Sequence, residues 1–255
     1  MTEAEYRQAE GVNVSTLKYL QKSPAHYLHF LQNPPEDKPA FQFGRAVHSA
    51  ILTPEAFARD FVVLPEGIDR RTKAGREAYD SFLQENAGRE IITAADAEIV
   101  GRIAAAVHGN RDAAELLKGT KREETMFWTD ENGILCKARA DALRPGLIVD
   151  LKTTTDAETD NFTREALRYG YDIQCAHYLD GYAHTVSSSP PVWYFIAVEK
   201  AEPYAVNILR ADGGFIDHGI EHRQQLLELL ISCRESGNYP DYGTNDLILP
   251  YWAEG

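Results

Sequence analysis

The chain has 255 residues, 44% of them hydrophobic, and a formal net charge of −13 at pH 7. The length allows one large domain with its own core, and the charge argues against a general nucleic-acid binder with a basic surface. The sequence contains no run of eighteen apolar residues, so we expect no transmembrane helix. The polar start and three scattered cysteines lead us to expect a reduced, cytoplasmic protein.

The first half of the chain is predicted to be mainly helical. Asn13 or Ser15 is a suitable cap for a helix that continues to Leu31. The other expected elements follow in order: an apolar helix at residues 41–52, a strand at 61–64, a basic loop at 67–75, and helices at 76–86, 93–107 and 112–117. Residues 1–120 are therefore assigned to a helical N-terminal part.

A β-sheet core is predicted over residues 121–240. Strands at residues 123–129 and 134–143 flank the turn Asp130-Glu-Asn-Gly, and a third strand follows at residues 147–152. The remaining elements are one long helix at residues 162–185, strands at 192–199 and 204–209, and a closing helix at 214–236. The pattern predicts one α/β domain over residues 1–255, with a central sheet, flanking helices and a helical addition.

Charged residues stand at the polar positions of two of these strands. The apolar run Leu147–Val149 leads directly into Asp150, and Lys152 points the same way because alternate residues of a strand share a face. The intervening turn folds the preceding strand back, which can bring Asp141 close to Asp150. The tripeptide Asp-Leu-Lys alone is common by chance. Two carboxylates placed against an apolar interior, however, favour a site for Mg²⁺ or Mn²⁺. The lysine would then place an ammonium group beside the reacting group.

Four other residues have both a structural and a functional interpretation. Gln174 and Tyr178 share one face of the long helix, where tyrosines commonly pack on a sheet but an amide adds little to a core. His48 lies in an apolar helix, where a histidine is more often a satisfied core residue than a metal ligand. Glu123 either opens a strand or supplies a further acidic ligand.

The chain contains local basic patches although its overall charge is negative. Arg70, Arg71 and Lys73 lie together in the predicted loop, and Arg45 precedes His48. Such residues more often form a solvated surface than a DNA contact. They are nevertheless the candidates for holding DNA if the metal site is a nuclease centre.

The ordered set of segments is more specific than any one of them. The segments are Ser15-Thr-Leu, Ser23-Pro-Ala-His-Tyr, Phe43-Gly-Arg-Ala-Val-His48, Asp69-Arg-Arg-Thr-Lys-Ala-Gly, Glu123 with Phe127-Trp128, Gly133 to Asp141, Val149-Asp-Leu-Lys-Thr-Thr, and Tyr171 to Tyr182. Together they resemble the PD-(D/E)XK nuclease superfamily, specifically the RecE or exonuclease VIII branch of phage recombination nucleases. The usual Arg-Pro-Asp is Arg139-Ala140-Asp141 here, and three cysteines cannot build the four-cysteine iron–sulfur cluster of some RecB-like nucleases.

The resemblance implies a metal-dependent exonuclease that digests double-stranded DNA from its ends, 5′ to 3′, and leaves 3′ single strands for recombination by annealing. Asp141 and Asp150 would bind Mg²⁺ or Mn²⁺, with His48 and Glu123 completing the metal site. Lys152 would orient or deprotonate the attacking water and stabilise charge on the phosphate.

The same resemblance gives Gln174 and Tyr178 the role of positioning the water, the lysine or the scissile strand. It also implies a ring-shaped homo-oligomer around DNA and a single-strand annealing protein as partner. No membrane partner is expected, because the sequence has no long apolar run. A restriction- or repair-type endonuclease and a non-catalytic DNA-end binding protein remain alternatives, because both use the same core. The acidic charge alone favours a protein-interaction domain.

Overall fold

A mixed five-stranded β-sheet is the central element of the computed structural model, which describes residue 1, residues 3–34 and residues 39–249. Residues 250–255 of the expected domain lie outside this range. In spatial order the strands are β3 (Lys121–Thr129), β4 (Leu135–Arg144), β5 (Leu147–Thr154), β6 (Val192–Glu199) and β7 (Val206–Arg210). β5 and β6 are parallel and the other neighbours antiparallel, which confirms the predicted α/β fold with a mixed sheet.

Helices cover this sheet, and they dominate the chain before residue 121. Two short strands there, β1 (Phe61–Val63) and β2 (Glu90–Ile92), pair in parallel as a separate small sheet. The helices are α1 (Glu3–Gln8), α2 (Val14–Leu17), α3 (Pro24–Gln32), α4 (Pro39–Leu52), α5 (Pro54–Asp60), α6 (Lys73–Glu85), α7 (Ala94–Gly109), α8 (Arg111–Leu117), α9 (Thr159–Tyr169), α10 (Tyr171–Thr185) and α11 (Gly213–Ser236), with a 3₁₀ helix at Lys18–Gln21. None of the described helices is both long enough and apolar enough to cross a membrane.

Two apolar layers pack on opposite faces of the five-stranded sheet. Ile148 and Trp193 belong to the layer formed with α2, α10 and α11, whereas their neighbours Val149 and Ile196 belong to the layer formed with α4, α7 and α8. Because both faces are covered, β5 begins with the continuous apolar run Leu147–Val149 rather than with an alternating pattern. Asp150 on this strand is consequently buried, with a relative accessibility of 2%.

The expected long helix at residues 162–185 is wrong, because two helices occupy it. Gly170 lies between α9 and α10 with a φ of +66°, a left-handed conformation that glycine adopts without steric cost and that ends a helix. The break lets α10 begin at Tyr171 and lie against β3 and β4, with the Gln174 side chain reaching β5. It therefore sets which side chains of α10 reach the sheet.

The expected helix from Asn13 to Leu31 is also divided. Asn13 caps α2 as predicted, but the chain then passes through the 3₁₀ helix and restarts at α3, where the Ser23 side chain accepts from the His26 N–H and Pro24 takes the first turn. Sequence reasoning also missed β2, whose three residues are too few to show an alternating pattern.

Candidate active site

The candidate site lies where β4 and β5 separate. The two strands pair through Ala142–Val149, Leu143–Ile148 and Arg144–Leu147, and the next position along each strand is Asp141 and Asp150. The ladder stops there, and Asp141 Oδ2 accepts a hydrogen bond from the Leu151 N–H at 2.8 Å. The structure thus places both predicted carboxylates at the open end of one hairpin.

Asp150, Lys152 and Gln174 form a closed triangle of polar contacts. Lys152 Nζ lies 2.5 Å from Asp150 Oδ2. Gln174 Nε2 donates to Asp150 Oδ1 at 2.6 Å, and Lys152 Nζ donates to Gln174 Oε1 at 3.1 Å. The shared face of Asp150 and Lys152 and the inward direction of Gln174 agree with the sequence interpretation.

Tyr171 completes this group, although sequence reasoning gave it no role. Lys152 Nζ lies 4.6 Å from the centroid of its ring, within cation–π range. Tyr171 precedes Gln174 by three positions on α10, so both project from the same side of the helix. That spacing was the available sequence signal for including it.

Lys18 is a second residue that sequence reasoning missed. Its Nζ donates to the Tyr169 carbonyl at 2.7 Å, across 151 residues of chain. Burial and the charge of nearby Lys152 lower the pKa of Lys18 to about 8, although Asp150 and Asp172 oppose the shift. Only the tertiary fold brings this lysine to the edge of the site, so no local pattern indicates it.

His48 reaches the site from the opposite side of the sheet, on α4. Its Nδ1 lies 3.5 Å from Asp141 Oδ2, the same oxygen that accepts from the Leu151 N–H. Burial favours a neutral imidazole, but the charge of Asp141 and a hydrogen bond to it outweigh burial and raise the pKa of His48. The structure therefore pairs His48 with Asp141 rather than enclosing it in an apolar core.

The two carboxylates have opposite pKa shifts. Burial raises the pKa of Asp150, the charge of Asp141 adds to that effect, and Lys152 offsets only part of it. Burial also disfavours the charged form of Asp141, but His48, Lys152 and the Leu151 N–H together hold its pKa below the ordinary value. Asp141 is thus the stabilised anion, and Asp150 is the carboxylate that lacks sufficient positive charge.

Lys152 differs from one sequence-based expectation. One of its expected roles was to deprotonate the attacking water, and a general base of this kind requires a lowered pKa. Burial does favour the neutral amine, but the charges of Asp150 and Asp141, with a hydrogen bond to Asp150, outweigh it and raise the pKa of Lys152. With the chain's own charges alone, Lys152 is an ammonium ion.

Tyr178 and Glu123 lie beside β4 but are engaged elsewhere. Tyr178 packs edge-on against Trp193 at 5.7 Å, and its hydroxyl meets the main chain of Arg139. Burial raises the pKa of Tyr178 well above its usual value, so the phenol stays protonated. The Glu123 carboxylate lies 2.8 Å from Arg139 Nε. The register between β3 and β4 places Glu123 across from Asp141, but its positive φ of 53° interrupts the regular strand.

The predicted DNA-binding residues differ in exposure: Arg45 forms a salt bridge between two elements, whereas Arg71 and Lys73 are largely exposed. Arg45 donates from Nε and Nη2 to the two oxygens of Glu90 at 2.9 and 2.6 Å, which joins α4 to β2. Arg70 stacks 4.9 Å over the Tyr79 ring.

The side chains of Arg71 and Lys73 are 91% and 85% exposed, with acidic neighbours Asp69 at 2.9 Å and Glu77 at 3.8 Å. Arg71, in the loop before α6, and Lys73, the first residue of α6, are therefore exposed to solvent, whereas the Arg45 side chain is held by Glu90.

The donors at the open end of the β4–β5 hairpin fit a hard divalent cation. Asp141 and Asp150 supply carboxylate oxygens, the ligands that Mg²⁺ and Mn²⁺ prefer. The raised pKa of Asp150 marks a buried carboxylate whose negative charge is incompletely compensated. A second cation beside Lys152 would remove that deficit, and His48 Nδ1 is near enough to Asp141 to join the ligands.

A protein-family model matches residues 13–248, nearly the whole chain; its description is "PDDEXK-like domain of unknown function (DUF3799)". No curated protein matches the chain. Among solved structures, one named "Putative exonuclease" from Eubacterium rectale superposes with a TM-score of 0.66 at 17% identity, covering 96% of this chain and 91% of that one. At this identity the likeness shows a common fold.

Two further solved structures resemble the chain more weakly. A phage-related exonuclease from Haemophilus somnus 129PT gives a TM-score of 0.31 at 16% identity, over 73% of this chain and 93% of that one. The alkaline exonuclease LHK-Exo from Laribacter hongkongensis gives 0.31 at 14% identity, over 76% and 98%. The sequence-based resemblance to PD-(D/E)XK proteins is confirmed by the family match.

Proposed function

Since the chain belongs to the family of PDDEXK-like domains, we propose that it is a nuclease that uses a divalent metal ion to digest double-stranded DNA from its ends. The observation that carries this proposal is the triangle of Asp150, Lys152 and Gln174 beside Asp141. A buried salt bridge alone would be weak evidence for this function. Apolar residues can often replace a buried ion pair without loss of stability, so the pair by itself does not identify a reactive site. An amide that bonds both members of the pair adds an arrangement suited to holding reactive groups in place.

Each side chain has a role that follows from its contacts. Asp141 and Asp150 would hold Mg²⁺ or Mn²⁺, with His48 beside Asp141. The metal ion would compensate charge on the phosphate and acidify a water molecule. Lys152, as an ammonium ion, would orient the attacking water and stabilise the negative charge that develops on the phosphate oxygens.

The helix residues would act on these groups rather than on the metal. Gln174 fixes the positions of Asp150 and Lys152 through one donated and one accepted hydrogen bond. Tyr178 remains a candidate for positioning the scissile strand, and its high pKa makes it a hydrogen-bond donor rather than a base. Glu123 remains a candidate metal ligand, which would require it to leave Arg139.

The finer features come from the resemblance to RecE-type nucleases. They are 5′ to 3′ polarity, 3′ single strands for recombination, a ring-shaped homo-oligomer and a single-strand annealing partner. The exposed cations Arg71 and Lys73, with Arg70, are suited to contacting phosphates, and Arg45 would support that surface through Glu90. DNA ends are the expected substrate.

The test compares digestion of linear and covalently closed circular double-stranded DNA with Mg²⁺, Mn²⁺ or EDTA. We expect loss of the linear substrate alone, dependent on metal and abolished by Lys152→Ala. The matched control is Lys118→Ala, because Lys118 is an exposed lysine that forms a surface ion pair with Glu115 at 3.8 Å. End labels at the 5′ or 3′ terminus report polarity.

Other outcomes assign the site differently. Metal-dependent cutting of the closed circle would replace end-dependent digestion by an endonuclease. Binding of DNA ends without cutting would support the non-catalytic alternative. Full activity in Lys152→Ala would overturn the assignment of the site itself.

A further inference from the structure

A second group of metal-binding side chains lies on the other side of α10 from the sheet. Asp172 on α10 faces His218 and His222 on α11. His218 Nδ1 lies 2.8 Å and His222 Nδ1 3.5 Å from Asp172 Oδ2. Within the described ranges these residues form a group in which one ligand atom from each lies within 4.8 Å of the others.

The backbone geometry holds these three side chains together. His218 and His222 are four residues apart and so share one face of α11. Gly219, between them, lies so close to α10 that a Cβ there would stand 2.1 Å from the Asp172 carbonyl oxygen. Only glycine permits this approach, which brings both imidazoles over the Asp172 carboxylate.

Asp172 is an unusual residue for a purely structural position. It is 1% exposed, and its second oxygen, Oδ1, is buried without a hydrogen-bond partner in the described part of the chain. A buried carboxylate oxygen without a partner costs free energy unless another group compensates it. His218 contacts Oδ2, so the carboxylate keeps acceptor capacity on Oδ1.

We propose that Asp172, His218 and His222 bind a divalent transition-metal ion of the Zn²⁺ class. Two imidazoles and one carboxylate are a common three-ligand set for tetrahedral zinc, with water in the fourth position. Metal–ligand bonds of about 2.0–2.1 Å separate tetrahedral ligand atoms by roughly 3.3 Å. The distances of 2.8 and 3.5 Å from the two histidines to Asp172 Oδ2 lie on either side of that value, and the three ligand atoms all lie within 4.8 Å of one another.

The exposure of the two histidines would also allow a bound ion to exchange with solvent. The side chains of His218 and His222 are 46% and 39% exposed, whereas the Asp172 side chain is 2% exposed. A buried anion at the base and two half-exposed imidazoles at the rim leave the outer position open to water. The bound ion would join α10 to α11, and α10 is the helix that carries Gln174.

This proposal is independent of the nuclease assignment, and the test keeps the two apart. The full-length Asp150→Asn protein is stripped with EDTA, freed of chelator and titrated with Zn²⁺ by calorimetry and with Co²⁺ by visible absorption. We expect one equivalent of Zn²⁺ to bind at this site, an increase in Tm, and the strong visible bands of tetrahedral Co²⁺. Asp150→Asn removes a ligand of the proposed catalytic site, so the signal reports the second site.

Ligand variants made in the same background provide the decisive comparison. His218→Ala and His222→Ala should each weaken Zn²⁺ binding by at least about tenfold, since even loss of a group that only supports a ligand has that effect. Both imidazoles are at the surface, so circular dichroism should show an intact fold.

The matched control is His184→Ala. His184 also pairs with an aspartate on α10, Asp180, at 3.3 Å, but that pair is not part of the three-residue group. Absence of Zn²⁺ and Co²⁺ binding in the Asp150→Asn protein would overturn the proposal, as would binding that His218→Ala and His222→Ala leave unchanged. In either case the cluster would be a plain histidine–aspartate contact between helices.

Discussion

Asp150 and Asp172 are both buried carboxylates, yet their surroundings suit different ions. Asp150 faces an ammonium and an amide, with a second carboxylate at the adjacent position of β4. Asp172 faces two imidazoles whose outer edges are exposed. Burial disfavours the charged form of both carboxylates unless positive charge lies nearby. The other ligand atoms at each site determine which cation can bind there. Oxygen donors favour Mg²⁺ or Mn²⁺, and imidazole nitrogen favours Zn²⁺.

The largest expected effect comes from removing the charge of Asp150. Asp150→Asn keeps an oxygen that can accept from Gln174 but leaves Lys152 without its counter-ion. We expect cleavage of linear DNA to fall by about a thousandfold or more, because loss of metal-held charge costs several kcal/mol in the transition state. Single-turnover digestion measures this, with exposed Asp112→Asn as control; a variant within tenfold of the parent contradicts the assigned role.

A smaller effect is expected from Gln174→Met, which preserves length but removes both hydrogen bonds. Asp150 and Lys152 would remain, with their relative positions less fixed, so cleavage should fall about 10- to 100-fold. The loss should appear in kcat rather than KM, since Gln174 acts through other groups. Gln225→Met, at an exposed position of α11, is the matched control. A pure KM effect would instead indicate that Gln174 contacts DNA.

A third histidine at the interface between α10 and α11, His177, differs from His218 and His222 in its exposure to solvent. His177 is fully buried, and burial, followed by the charge of Arg223, lowers its pKa to about 3. The unfolded chain binds this proton below about pH 6.5, whereas the folded chain does not until near pH 3. Stability therefore falls as pH drops through this window, by about 2 kcal/mol at pH 5.

Urea unfolding between pH 7 and pH 4 measures that contribution. His177→Gln removes the titrating group, so its stability should depend less on pH than that of the parent, and exposed His29→Gln should follow the parent curve. Parallel curves for parent and His177→Gln would show that His177 titrates alike in both states.

The smallest expected effect concerns the exposed basic loop. Arg71→Ala should weaken binding of a blunt DNA duplex only a few-fold and reduce the salt dependence of log K by roughly one unit, as loss of a single phosphate contact does. Fluorescence anisotropy over a range of salt concentrations measures both. Arg59→Ala is the matched control, because Arg59 also pairs with a neighbouring aspartate, Asp60, on the surface. An unchanged salt slope in Arg71→Ala would remove the loop from the DNA surface.

The sequence predicted those parts of the site that depend on local periodicity. Alternation along β5 placed Asp150 and Lys152 on one face, and helical spacing aligned Gln174 with them. The contact between Asp172 and His218 spans 46 residues, and that between Arg45 and Glu90 spans 45. No local pattern specifies such pairings, because they arise from how helices pack after each has formed.

The misplaced helix boundary has a different cause. Gly170 reads in sequence as a tolerated glycine within one long apolar pattern. Its left-handed conformation became evident only in the structure, where the break turns α10 away from α9. Glycine permits either conformation, and the left-handed one accompanies the packing of Tyr171 against Phe195 and the burial of Ile173.

The hydrogen bond from the Leu151 N–H to Asp141 affects how variants of this site should be designed. Where β4 leaves β5, that main-chain donor has lost its place in the strand ladder, and the Asp141 side chain substitutes for the missing carbonyl. Asp141→Ala would leave an amide proton stranded inside the sheet, so its activity loss would mix chemistry with local unfolding. Asp141→Asn keeps an acceptor oxygen and removes only the charge, and is therefore the cleaner probe.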